Sequence, residues 1–296
     1  MTTYSHPEPP TTQNPCYWRE LWLHQKSGRS LVTGNCAGSK GYWSCEKNVH
    51  EIYGKSRRSA SWNSKVESQL ADMDIPPGSR VLDIGAGTGT LAIPLAARGC
   101  QVTAVEPSDL MLQGLIRNQK NTGTPRIVII PRRWEDVTME ELGGPFDVVI
   151  ASYSLTMKDI DAALSKMKAC CTGTVHLFWF LTPPSWARVS HDLWQELHGL
   201  EYTGEPLADC LWHVLCEMGI YADIRVEQKK QPTVYPAVED AVKEYYQRLN
   251  CYTPEHEKIL YKYFSGRLLH SDNGYYLPGD SIGAHIRWNT GINPAR

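Results

Sequence analysis

No run of about 18 apolar residues occurs in this 296-residue chain, so no membrane-spanning helix is expected. The opening stretch, MTTYSHPEPPTTQNP, lacks a basic start followed by an apolar core, which argues against a secretory signal. Its Pro, Thr and Gln content predicts a loosely draped or disordered tail on a cytoplasmic protein. An excess of one charge is missing too: 30 Lys and Arg stand against 32 Asp and Glu, a formal net charge of −2. The basic doublets Arg57-Arg58, Arg132-Arg133 and Lys229-Lys230 are scattered among acids, whereas a surface for phosphate backbones needs a clustered stripe. No nucleic-acid partner is evident. The C-x-x-C pair is also absent from the nine cysteines, an odd set that argues against a disulfide framework and a zinc ribbon. Cys36, Cys45 and His50 lie close enough in sequence to ligate a metal, but their spacing fits no standard site and a fourth ligand is not evident. No metal is expected, and the alternative for these cysteines is burial as small, apolar-like side chains.

What the chain does have is a 42% hydrophobic composition and enough length to bury one large domain with extensions. Short β-rich runs recur at RVLDIG (80–85), QVTAVE (101–106), RIVIIP (126–131), FDVVIAS (146–152) and TVHLFWFL (174–181). Between them, TLAIPLAARG, SDLMLQGLIRNQKNTG and KDIDAALSKMKACCTG carry apolar residues at helical spacing and stop near a glycine. This alternation predicts a doubly wound α/β domain with a parallel sheet from about residue 65 onward. Later, YADIRVEQ reads as a sixth strand and GAHIRWNT (283–290) as a last one. Two helices are expected between them, the second opened by Thr253 as N-cap with Pro254 at its first position. Residues 1–64 form a tail and an aromatic-rich segment holding Trp18, Trp22, Trp43 and Trp62 with Tyr17, Tyr42 and Tyr53. That segment is either packed core or a lid over the ligand end of the sheet. Residues 65–296 are expected to form the main domain, with a helical cap over the substrate pocket at about 237–270.

The informative turn is Gly85-Ala86-Gly87-Thr88-Gly89, directly after the first strand. In open α/β sheets ligands sit outside the carboxyl ends of the strands, and glycine lets a ligand approach the backbone there. A dinucleotide fingerprint reads G-x-G-x-x-G, but Thr90 occupies its third glycine position. Asp83 stands two places before the first glycine. Both features favour a ligand without a pyrophosphate and disfavour a nicotinamide-dependent oxidoreductase.

The stretch VLDIGAGTGTLAIPLA (81–96) resembles motif I of the class I S-adenosylmethionine-dependent methyltransferases, and is most similar to their type 11 small-molecule branch. The resemblance extends over roughly residues 43 to 181. It implies a Rossmann-like, mostly parallel seven-stranded sheet with an antiparallel last strand, carrying an N-terminal lid and helical cap insertions. It implies S-adenosylmethionine as cofactor, with Asp83, Gly85, Ala86 and Gly87 at the glycine turn and Glu106 accepting hydrogen bonds from both ribose hydroxyls. Pro107, Ser108 and Met111 resemble the run beside the adenine. FDVVIASYSL resembles the fourth-strand motif that faces the methyl group, which puts Ser152 in the cofactor set and makes Tyr153 a substrate contact or a packing residue. One stretch departs from the pattern: PRRWEDV has Arg133 and Trp134 where many relatives carry an acid and a small residue. Trp134 and Glu135 are assigned to the adenine side on this basis, with Asp136 as the other acid available.

The activity so implied is methyl transfer from S-adenosylmethionine, without a metal, to a nucleophilic atom of a small acceptor. An RNA or protein methyltransferase would need a basic face or a recognition domain, and an inactive cofactor-binding regulatory subunit is a further alternative. Neither the acceptor atom, a catalytic residue nor the oligomeric state is specified. Asp147 reads as a local cap or pair and His176 as a satisfied core histidine. Trp186, His191, Trp194 and His198 line a pocket or bury a helix face. Removing Glu106 is expected to weaken cofactor binding at little cost to folding.

Overall fold

The computed structural model describes residues 16–33, 60–230, 232–272 and 274–291. Cys36, Cys45, His50, Tyr42, Trp43, Tyr53 and the N-terminal tail lie outside the described residues, as does the side chain of Trp62. The first described helices are α1 (Tyr17–Thr33) and α2 (Ala60–Met73), and α2 runs through the boundary expected at 64/65. The alternating part follows as β1 (Arg80–Ile84), α3 (Ala92–Ala97), β2 (Gln101–Val105), α4 (Asp109–Thr122) and β3 (Val128–Ile130). It continues with α5 (Met139–Leu142), β4 (Phe146–Ser152), α6 (Ile160–Ala169) and β5 (Cys171–Phe180). Then come α7 (Ser185–His198), α8 (Ala208–Glu217) and β6 (Asp223–Lys230). The chain closes with β7 (Thr233–Tyr235), α9 (Val238–Arg248), α10 (Pro254–Arg267), β8 (Leu269–Ser271), β9 (Gly274–Leu277) and β10 (Asp280–Asn289).

Seven strands make one sheet in the order β3-β2-β1-β4-β5-β10-β6. The pairs from β3 to β5 are parallel and β10 runs antiparallel to both its neighbours, as expected. The central strands are near-continuous apolar runs because both faces are covered. Leu82, Ile84, Val149, Ala151, Val175 and Leu177 pack on one face against Leu164 and Met167 of α6 and Leu211 and Val214 of α8. Val81, Val102, Ala104, Val148, Ile150 and Phe178 pack on the other against α2, α3 and α4. Trp22 of α1 is fully buried in the first of these cores and its Nε1–H donates to the Met157 carbonyl at 2.9 Å. Trp18 stacks on His213 of α8 at 4.2 Å. These two tryptophans therefore pack as core and helix contacts. Among the described residues no helix is long and apolar enough to cross a membrane.

A small second sheet, β7-β9-β8, was not expected from the sequence. Its strands have three or four residues, too short for an alternating pattern to stand out. It belongs to a third core, in which Val189, Leu193, Trp194 and Leu197 of α7 meet Tyr245 of α9 and Leu260 and Phe264 of α10. The place of this unit follows from strand register. The end of β5, Phe180, pairs with Gly283, and the end of β6, Lys230, pairs with Asp280 at the start of β10. The chain thus leaves for α7, and later for β7 to β9, from the carboxyl ends of the parallel strands. That is also the end where the glycine turn lies.

Candidate functional site

Strand order reverses between β1 and β4, whose carboxyl ends open the crevice in which ligands of such sheets bind. On one side of it, Gly85, Gly87 and Gly89 adopt φ of +72°, +56° and +83°, the left-handed region that glycine enters without a Cβ clash. Gly85 has a second reason to be glycine: a Cβ there would lie 2.3 Å from the Ser154 Cβ. Ser154 Oγ in turn donates to the Ile84 carbonyl at 2.6 Å. The turn after β1 and the loop after β4 are locked together by this contact.

Two carboxylates sit behind the turn. Glu106 is 7% exposed, and its two oxygens accept the Gly87 and Ser108 N–H groups, both at 2.9 Å. A carboxylate has about four acceptor positions, so capacity for two more donors remains. Asp83 is 3% exposed and accepts the Ala92 N–H. Burial and the neighbouring Glu106 push the Asp83 carboxyl up to about 7. Burial also raises Glu106, against the opposing effect of its two backbone donors. Among the described residues, no cation offsets the burial of either carboxylate.

The other expected residues distribute unevenly. Ser108 caps α4, its Oγ accepting the Met111 N–H at 3.4 Å; Met111 is buried and Pro107 exposed. Ser152 Oγ accepts from Gln69 Nε2 at 3.1 Å. Glu135 pairs with Arg133 at 2.6 Å, and Asp136 is exposed. The Trp134 indole is packed in the core, where its Nε1–H donates to the Ala163 carbonyl at 3.2 Å and Lys166 Nζ lies 4.5 Å from the ring. Its side chain is anchored to α6, so an adenine contact from Trp134 would fall to its backbone.

Tyr153, directly after β4, holds φ at +55°, which is uncommon for a bulky residue and points to a functional constraint. Its N–H donates to the Phe178 carbonyl at 2.9 Å, its ring lies 4.8 Å from Phe180, and Phe180 meets Trp186 edge-on at 6.2 Å. An aromatic surface thereby leads from the end of β4 to the unit built on α7. His176 is a core histidine: its Nδ1 lies 2.9 Å from His285 Nε2, and burial drives the two down to about 3 and about 4. Asp147 accepts the N–H of Arg80, the first residue of the neighbouring strand β1, at 2.8 Å, a pairing across strands and not within its own segment. The α7 residues divide, since Trp194 is buried in the third core and His198 Nε2 meets the Leu249 carbonyl at 2.9 Å, while His191 is exposed beside Asp192.

Sequence reasoning missed Lys65 and Gln69 of α2. Lys65 Nζ lies 4.5 Å from the Tyr153 ring centroid, and burial lowers its ammonium to about 8, with Glu227 of β6 opposing. The available signal was a polar stripe, Lys65, Gln69 and Asp72, at i, i+4 and i+7 beside the apolar face of the same helix. Asp72 extends the stripe by pairing with Arg225 of β6. Among the described residues, no group of three or more His, Cys, Asp or Glu is arranged to hold a metal, and Cys16, Cys100, Cys170, Cys171, Cys210, Cys216 and Cys251 form no disulfide.

Residues 81–173 match the model of a family described as a methyltransferase domain. A Haemophilus influenzae protein without an assigned function is 31% identical over 155 residues, covering 52% of this chain and 56% of that protein. An uncharacterised methyltransferase of Mycobacterium tuberculosis is 35% identical over 130 residues, covering 41% of this chain and 62% of its own. The chain therefore spans about three-fifths of the length of these relatives. The crystal structure of the YcgJ protein from Bacillus subtilis shares the fold with a TM-score of 0.52 at 14% identity, covering 77% of this chain and 98% of that one. Fold, glycine turn and matched residues agree: residues 81–173 are similar to a methyltransferase domain, set in a mostly parallel seven-stranded sheet.

Proposed function

We propose that the protein transfers a methyl group from S-adenosylmethionine to a small acceptor with a flat, apolar body. The observation that carries the cofactor half is the buried pair Asp83 and Glu106 behind a glycine turn at the strand reversal. Both acids are raised by burial, so a cationic ligand relieves them and a pyrophosphate is repelled. S-adenosylmethionine, with a sulfonium and an ammonium, meets that requirement.

Glu106 would hold the ribose hydroxyls with its remaining acceptor positions. Asp83, Gly85, Ala86 and Gly87 would border the methionine half, and Pro107, Met111, Glu135 and the Trp134 backbone the adenine. Ser152, oriented by Gln69, would stand at the methyl end. When bound, the cofactor supplies an already activated methyl, so this chain's residues have to orient two reactants and exclude water. Tyr153, Phe180 and Trp186 supply an apolar surface for the acceptor, and the unit packed on α7 would cover it as a substrate cap. The scattered basic doublets favour a small acceptor over RNA.

Calorimetric titration of the purified protein with S-adenosylhomocysteine and, separately, with NAD tests the cofactor. Binding of the first and no binding of the second are expected; the reverse result overturns the proposal. A screen of extracts with methyl-labelled S-adenosylmethionine then identifies the acceptor, and label found only in RNA or protein overturns the small-molecule half.

A further inference from the structure

Helix α2 and the glycine turn grip the loop after β4 from opposite sides. Gly85 touches Ser154 from one side, while from the other Gln69 bonds Ser152 and Lys65 covers the ring of Tyr153. Three consecutive residues, Ser152 to Ser154, thus connect the cofactor turn to one lysine. The amine is held over an aromatic face on the acceptor side of the turn, and Tyr153 keeps a left-handed backbone there. The charged group facing it is Glu227 on β6, which in turn faces Asp72 on the helix of Lys65 and Arg225 on β6, and these two face His285 on β10.

We infer that Lys65 is the proton-accepting residue of methyl transfer, and that the acceptor atom is therefore an oxygen or nitrogen carrying a hydrogen. This rests on the proposed S-adenosylmethionine reading. In the step, neutral Lys65 Nζ takes the proton from the acceptor O–H or N–H. The freed electron pair of that oxygen or nitrogen bonds to the methyl carbon as the carbon–sulfur bond breaks, and the sulfur keeps that bond's electrons. One positive charge is lost at sulfur and one appears on Lys65, so charge and atoms balance. A sulfonium near Lys65 disfavours the ammonium by like-charge repulsion, which readies the amine as a base before the acceptor reacts.

That coupling is measurable without an acceptor, because S-adenosylmethionine and S-adenosylhomocysteine differ in the sulfonium charge. Their affinities for the full chain, titrated between about pH 6.5 and about pH 9.5, give a ratio that reports the charge on Lys65. In wild type the homocysteine form should be preferred ~5–10-fold more at the acid end than at the alkaline end. The midpoint should fall near 8. Lys65→Met should abolish the component of the pH dependence that wild type shows beyond the free ligands, and Lys65→Arg should keep the acid-end preference throughout. Trace acetylation of wild type, read by mass spectrometry, gives a second measure should Lys65→Met fail to fold: the midpoint for Lys65 should be lower with S-adenosylmethionine bound than with S-adenosylhomocysteine. Equal midpoints, or matching ratio profiles in all three proteins while S-adenosylhomocysteine still binds, overturn the role of Lys65 alone. Failure of wild type to bind S-adenosylhomocysteine overturns the cofactor reading itself.

Discussion

Asp83 lies within reach of the Glu106 charge, and both side chains are almost wholly buried, at 3% and 7% exposure. The Asp83 carboxyl is raised from the ordinary carboxylate range to about 7. A raised acid costs no stability below its unfolded pKa, costs progressively more as pH rises between the two values, and costs the full amount above the folded one. Asp83→Asn should therefore melt higher than wild type at about pH 8, on the order of 2–4 kcal/mol more stable, and show little gain at about pH 4. Paired thermal melts at the two pH values check this, and an equal gain at both would contradict the buried charge. Glu106→Ala should weaken S-adenosylhomocysteine binding by about two orders of magnitude or more, since two hydrogen bonds to a charged group are each worth roughly 1.5–3 kcal/mol. Glu106→Gln should fall between. The sequence-based expectation of an unharmed fold needs amending: both Glu106 oxygens already hold backbone N–H groups, and orphaning those two donors costs roughly 1–3 kcal/mol each where water cannot replace the carboxylate. Titration beside a melt separates the two losses.

At the scale of elements, two devices carry opposite consequences. The turn after β1 fits against the β4 loop with no space for a side chain, so Gly85→Ala adds a methyl 2.3 Å from Ser154 in a backbone region that disfavours it. A loss of at least ~2 kcal/mol of stability is expected, together with loss of S-adenosylhomocysteine binding. The unit on α7 instead has its own core, centred on Phe264 and Tyr245 with rings 4.9 Å apart. Phe264→Ala should cost about 3–5 kcal/mol there. Hydrogen exchange should show faster opening in α9 and α10 while amides of β1, β4 and β5 stay protected, because those strands lie in separate cores. Uniform acceleration across both regions would show that the cap and the sheet open together.

For the whole molecule, ligand binding at the carboxyl edge of the sheet links to stability through the native state alone. S-adenosylhomocysteine at about 100 times its Kd should stabilise the protein by about 2.7 kcal/mol. That increment should persist in Phe264→Ala and be largely lost at the same ligand concentration in Glu106→Ala. Thermal melts with and without ligand distinguish the two variants, and a Phe264→Ala protein that loses the increment would place the cap within the cofactor site.

The α/β alternation, the glycine turn, Asp83 and Glu106 were legible in the chain because each is a local signal. Apolar runs of five to ten residues mark strands buried on both faces, and glycines at positive φ mark a turn no other residue adopts easily. His176 was readable for the same reason, sitting within such a run. Tertiary structure alone decided the rest. The strands of the second sheet are too short to carry a pattern, and they exist because β9 meets β7 from about forty residues away. Trp134 and Glu135 are neighbours in sequence, but only packing turns the indole into the core while Glu135 faces Arg133. Lys65 precedes the glycine turn by twenty residues, and the polar stripe on its helix does not by itself say what that stripe faces. Its place is set when α2 packs across β4 and β6, bringing the amine over Tyr153 and within reach of Glu227, where burial lowers its affinity for a proton.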